Sequence, residues 1–219
     1  MKSSELFDLE LNKIEHYIKF PAMRPFVGSK YGDSQNKKIM LIGESNYLPP
    51  NSTINKSASL WYKSKQSDLT KDEIQWLHCR NLLMCDWKSA GHMLYRELEL
   101  RMSEYIDSSK TKAMSNVIFM NAFQRPAPQT GNSISRFCGE ADFKVGAETI
   151  DQVIKITNPD LVIFVSKLAW DKLGRRLSKE STARKIDFTC HPGTGGRYWH
   201  KREYQHGVDK FRKLISSHY

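Results

Sequence analysis

The chain has 219 residues, enough for one substantial core and too few for two comfortable domains. Its 39% hydrophobic and 11% aromatic content is that of a globular chain, and its net charge of +10 points toward polyanionic partners. No stretch approaches the roughly 20 apolar residues that cross a bilayer, so no membrane span is expected. The opening Met1–Asp8 carries acidic residues and no apolar run, which predicts no secretory leader and a cytoplasmic location. The cysteines, Cys79, Cys85, Cys138 and Cys190, form no C-x-x-C pair, so zinc ribbons and most iron–sulfur sites are excluded and neither metal nor cofactor is expected.

Taken in chain order, a helix is predicted over 5–20, where Leu6, Leu9, Ile14, Tyr17 and Ile18 form an imperfect stripe and Pro21 stops it. Pro21–Lys38 reads as loop. Strand one, Ile39–Ile42, leads into a loop, Gly43-Glu44-Ser45-Asn46-Tyr47. Leu48–Lys65 is rich in Pro, Ser, Asn and Thr without a period, a long loop of the kind that binds or covers a site. Thr70 and Glu73 form a capping box opening a helix to about Asn81, and a second helix spans about Ser89–Ile106. Strand two, Asn116–Asn121, precedes a loop at Gln124–Ser133. Gly146–Thr157 is helical, with Ile150, Val153, Ile154 and Thr157 on one face. Asn158-Pro159-Asp160 turns into strand three, Leu161–Val165. Ser166 caps a helix to about Leu177 that buries Ala169, Trp170, Leu173 and Leu177. Strand four, Ile186–Cys190, leads to His191, and a final helix over about Lys201–Ser217 buries Tyr204, Val208, Phe211 and Ile215.

Strands alternating with helices predict a single α/β domain over 1–219, a three-layer α/β/α sandwich around a four-stranded parallel sheet. Parallel strands gather their C-terminal ends at one edge, where open α/β folds bind ligands. Three of the strands end there in polar residues. Glu44, Ser45, Asn46, Tyr47, Asn121 and His191 would therefore face one pocket from positions up to about 150 apart. Basic residues cluster in the same part of the sequence. Lys167, Lys172, Arg175, Arg176, Lys179, Arg184 and Lys185 fall between the last two strands, and Arg197, Lys201 and Arg202 follow His191.

The motifs, in order and approximate spacing, resemble the uracil-DNA glycosylase superfamily over about Lys38–Tyr204. They are the strand and Gly-initiated segment Ile42–Tyr47, the strand ending in Asn121, the strand entering Ser166-Lys167 and the motif His191-Pro192-Gly193. The resemblance implies a four-stranded parallel sheet between helices, and excision of a flipped base, uracil foremost, by hydrolysis of its N-glycosidic bond. By the same resemblance His191 donates to the base oxygen as charge develops there, Asn121 reads the Watson–Crick edge, and Ser45 or Asn46 holds the water. Tyr47 walls off C5, Glu44 fills a position of Gln or Glu, and Trp61 or Tyr62 stacks on the base. Lys167, Gly195, Gly196, Arg197, Tyr198 and Lys201 would meet the DNA backbone or fill the vacated stack. DNA is the implied partner and a monomer the implied state. The chain departs from the family pattern in Asn46 for the usual proline, Ser45 for the Asp or Asn of several branches, and Gly193 for serine.

A structural role stands beside each assignment. Asn121 would serve as a turn residue, His191 as a satisfied loop histidine, and Tyr47, Trp61 and Tyr62 as packing. A second functional expectation is a nucleic-acid- or nucleotide-binding module of the same fold with weakened catalysis. An unrelated α/β hydrolase or nucleotide-binding domain is disfavoured, because Ser45 is in no G-x-S-x-G elbow and strand one is followed by neither G-x-x-x-x-G-K-[ST] nor G-x-G-x-x-G.

Overall fold

The computed structural model describes residues 1–33, 37–180, 184–193, 199–200 and 206–218. Its centre is a mixed sheet with, among the described residues, five strands in the order β1-β3-β2-β4-β5. They are β1 (Phe26–Val27), β2 (Ile39–Tyr47), β3 (Val117–Ala127), β4 (Leu161–Phe164) and β5 (Lys185–Phe188). The four expected strands are present and mutually parallel. The expectation of a purely parallel four-stranded sheet is corrected by β1, which adds an antiparallel edge through the pairs Phe26–Phe119 and Val27–Ile118.

Alternation along the central strands sorts the core into two layers. Met40, Ile42, Ile118, Met120, Val162 and Phe164 face one layer, and Ile39, Leu41, Val117, Phe119, Leu161 and Ile163 the other. Both faces are covered, which is why these strands read as unbroken apolar runs. The first layer packs on the short helices α1 (Asp8–Leu11), α2 (Glu15–Lys19), α3 (Ala58–Lys63) and α4 (Lys71–Leu77) and on the long α7 (Glu140–Thr157). It is completed by α8 (Lys167–Ala169), which runs through a π-turn at Trp170–Gly174 into α9 (Arg175–Glu180). The opposite layer packs on α5 (Cys79–Met84), α6 (Met93–Met102) and α10 (His206–Ser216).

Several boundaries differ from expectation for identifiable reasons. The helix over 5–20 breaks into α1 and α2, leaving Leu6, Leu9 and Ile18 exposed and Leu11, Ile14, Tyr17 and Phe20 buried. Three residues turn an α-helix through about 300°, so a straight one would rotate Phe20 to the side opposite Leu11. The extended residue Ile14 resets the phase. Gly43–Tyr47 is not a loop but the continuation of β2, and β3 likewise runs on to Ala127. Leu48–Lys65 is not a free lid. Arg125 and Asp142, both essentially inaccessible, form a doubly bonded ion pair at 2.8 and 2.9 Å. Arg125 also donates to Asn55 O, and Asn55 Nδ2 donates to Ala127 O. These bonds fasten the segment to β3 and α7. The capped helix expected from Thr70 has its capping box, yet ends at Leu77 before α5 begins. Tyr204, expected in the last helix, lies outside the described residues.

Candidate active site

The parallel strands create a crevice where their lengths mismatch. Strand β4 pairs with β2 only from Ile39 to Ile42, and Val165 N closes the ladder on Ile42 O at 2.8 Å. Beyond that point Gly43–Tyr47 keeps β3 on one side and, among the described residues, has no strand on the other. The chain order also reverses at β2, with β3 on one flank and β4 on the other, the arrangement that opens ligand crevices in α/β sheets. A cavity of about 830 Å³ occupies this edge, within the roughly 300–1,000 Å³ range of small-ligand sites. Glu44, Ser45, Asn46, Tyr47, Asn121 and His191 all line it, as the strand-end argument expects.

Asn121 sits directly opposite Gly43 in the β2–β3 register. A Cβ at position 43 would lie 2.3 Å from Asn121 Oδ1, so only glycine admits the asparagine amide here. A register shift between Ser45 and Tyr47 re-aims the intervening residue, as bulges do. Asn46 Oδ1 accepts from Asn121 Nδ2 at 2.6 Å. The Asn121 backbone is held in turn, because Gln124 Nε2 donates to its carbonyl at 2.7 Å. Ser45 Oγ is buried and has no hydrogen-bond partner among the described residues.

The Glu44 carboxylate bridges elements. Oε1 accepts from Ile134 N at 3.2 Å, and Oε2 accepts from Ser166 Oγ at 2.9 Å. Ser166 is meanwhile the N-cap of α8, its hydroxyl accepting from Ala169 N. His191 Nδ1 accepts from Gly193 N at 3.0 Å, which leaves the proton of the neutral ring on Nε2. Burial holds the His191 pKa below the usual histidine value, and the Glu44 charge pulls the other way. Gly193 suits this turn: a Cβ there would stand 2.9 Å from His191 Cε1. Burial raises the Tyr47 hydroxyl pKa, and Glu44 adds to the rise.

Other expected site residues lie elsewhere. Trp61 is fully buried, stacked on Phe20 at 4.3 Å, with Nε1 donating to Gln124 O at 2.8 Å. Tyr62 donates to Asp142 at 2.9 Å. Neither lines the cavity, so stacking on a ligand by these residues is corrected to core packing. Lys167 is exposed and paired with Asp171, which also holds Arg175. Arg184 and Lys185 lie at the start of β5, the end of that strand opposite the crevice. Gly195, Gly196, Arg197, Tyr198 and Lys201 fall outside the described residues.

The wall facing the polar floor escaped sequence reading. Trp76 and Gln75 of α4, Leu82 of α5, and the stretch Ser89–Tyr95 supply it. Trp76 is 36% exposed; its one sequence signal is a large aromatic beside Leu77 on a helix opened by a capping box. His92 also lines the cavity, with burial and Arg96 holding its pKa down. Among the described residues no group of three or more His, Cys, Asp or Glu is placed to hold a metal ion, and no helix is long and apolar enough to cross a membrane. The sequence matches no protein-family model and no curated protein.

Proposed function

We propose that the protein is a base-excising N-glycosidase in the manner of the uracil-DNA glycosylase superfamily its motifs resemble, acting on a flipped deaminated or damaged base, uracil foremost. One observation carries the reading. His191, Asn121 and Ser45, bearing an imidazole, an amide and a buried hydroxyl without a partner among the described residues, line a single crevice at the C-terminal strand edge. Departure of a base leaves negative charge on its oxygen and positive charge on the sugar. A neutral His191 with its proton on Nε2 is a preorganised donor for the first. The Glu44 carboxylate, fixed by Ile134 and Ser166, lends negative potential to the second. Asn121 offers a donor and an acceptor to the base edge. The Ser45 hydroxyl, buried and without a partner among the described residues, is a seat for the attacking water. Trp76 takes the stacking role that Trp61 cannot fill.

A binding module of the same fold is the second reading, and one observation favours it. Glu44 is the one carboxylate among the described lining residues, and both its oxygens already accept hydrogen bonds. The site therefore orients water without a free carboxylate to deprotonate it. Incubation with uracil-, hypoxanthine- and mismatch-containing oligonucleotides, scored for abasic sites, separates the two. Abasic sites are expected. Binding that weakens steeply with salt, without cleavage of any substrate, establishes the module instead. Salt-independent or absent binding to single and double strands removes nucleic acid altogether.

A further inference from the structure

Two imidazoles line the cavity, His191 from the strand-end motif and His92 from the opposite wall. His92 is the N-cap of α6. That helix start lies against the His191 turn, since a Cβ on Gly193 would stand 3.8 Å from Leu94 N. Side chains alternate along β2, so Ser45 shares the face of Ile39 and Leu41, the layer that packs on α6. The register shift falls after Ser45 and leaves this phase intact. Tyr95 spans the interval, its ring 6.2 Å from that of His92 and 5.4 Å from that of Phe119, which backs Gly43. His92 and the Ser45 hydroxyl are therefore on one side of the sheet.

The two rings hold their protons on different nitrogens. His191 carries its proton on Nε2, as its bond from Gly193 N requires. His92 Nδ1 lies 3.9 Å from Cys85 Sγ, within the longer reach of sulfur. Cys85 Sγ also donates to Leu82 O at 3.2 Å. A carbonyl has no proton to give, so turning the thiol proton toward His92 would set sulfur and oxygen lone pairs against each other. Sulfur can then only accept from His92, which puts that ring's proton on Nδ1. Cys85 stands behind the lining, so Nδ1 is committed to the wall. Nε2, with a bare lone pair and no partner among the described residues, is left for the cavity. Burial and the Arg96 charge hold the His92 pKa below 6.5, so the ring is neutral near pH 7.

We infer that His92 is a catalytic residue, the general base for the attacking water, with Cys85 as the positioning residue that sets its tautomer. The water oxygen bonds to the anomeric carbon as the N-glycosidic bond breaks. The electron pair of that bond leaves with the nucleobase, whose oxygen receives the His191 donor. The proton shed by water goes to His92 Nε2, and the imidazolium passes it through solvent to the nucleobase anion. The inference rests on the N-glycosidase reading and supplies the proton acceptor that Glu44, with both oxygens engaged, does not.

Two measurements test it. Long-range ¹H–¹⁵N NMR of the full-length wild type reads both tautomers, and should find His92 protonated on Nδ1 and His191 on Nε2. Cys85→Ala should spread the His92 proton over both nitrogens. Single-turnover cleavage of a uracil-containing oligonucleotide should fall about a hundredfold in His92→Ala, the lower end for one general base. Affinity for the oligonucleotide should hold. Imidazole added to the buffer should recover much of the lost rate, because the free ring fits the space the side chain vacated. A role confined to packing gives no such recovery in proportion to neutral imidazole. If His92→Ala does not fold, the wild-type tautomer decides. A His92 proton on Nε2, an unslowed His92→Ala, or a folded His92→Ala that imidazole does not rescue overturns the inference and leaves the N-glycosidase reading standing. A wild type that cleaves no modified base removes both.

Discussion

Glu44 Oε2 accepts a hydrogen bond from Ser166 Oγ at 2.9 Å, across 122 positions of sequence. One carboxylate on the central strand is thereby tied to the residue that caps the helix after the neighbouring strand. The same charge raises the His191 pKa against the larger, opposing effect of burial. Glu44→Gln removes the charge and leaves burial unopposed. The His191 titration midpoint should move to lower pH, and the acid limb of any activity profile should move with it. Following the His191 ring proton by NMR checks the direction, and an upward shift contradicts it.

His191→Ala should lower turnover by about a hundredfold or more, the scale of losing one donor to a developing oxyanion. Affinity for DNA should barely change, since phosphate contacts dominate binding. Single-turnover cleavage and a binding isotherm on the same uracil-containing duplex read the two effects separately. Equal cleavage by variant and wild type rules out this use of the imidazole.

His16 predicts acid sensitivity remote from the site. Its side chain is buried, Nε2 has no partner among the described residues, and burial depresses its pKa from 6.5 to about 3. Between those values the unfolded chain binds a proton that the folded chain refuses. The stability difference is absent above pH 6.5 and grows as pH falls toward 3, to at most on the order of 5 kcal/mol. His16→Phe sacrifices no bond to Nε2 and should flatten this slope. Urea midpoints at pH 7 and pH 4 should fall further apart for wild type than for the variant.

The Arg125–Asp142 pair should be costly to break from one side. Both side chains are at most 1% exposed, so Arg125→Ala strands a buried carboxylate. Loss of about 3–5 kcal/mol is expected, together with release of Asn55 from Arg125. Denaturant unfolding measures the first, and faster proteolysis within 48–65 the second. A change below about 1 kcal/mol would place the pair among weak surface bridges.

Strands β2, β3 and β4 and their common C-terminal edge were legible because central parallel strands bury both faces and so spell unbroken apolar runs. The polar residues that follow Ile42 and Met120 marked the crevice for the same reason. Strand β1 was not legible, since two residues between Pro25 and Gly28 carry no period. Gly43–Tyr47 looked like a loop because, past the end of β4, it no longer needs apolar side chains on both faces. Trp61 misled through its setting in an aperiodic stretch. Its burial depends on Phe20 and Gln124, residues that local sequence cannot bring near. Trp76, Leu82 and Tyr95 form the opposite wall only once α4, α5 and α6 are packed, so no spacing announces them.

The placement of Trp76 has an optical consequence. Of the five tryptophans, all within the described residues, Trp61, Trp87 and Trp199 are at most 3% exposed, and Trp170 stacks on Phe188 at 5.1 Å. Trp76 alone lines the cavity. The solvent-sensitive, red-edge part of the indole emission therefore comes chiefly from the site itself. A flat ring entering the crevice quenches that part and leaves the blue core emission as an internal standard. The fold thus carries its own reporter of occupancy, readable without labelling the protein or attaching a dye to the nucleic acid.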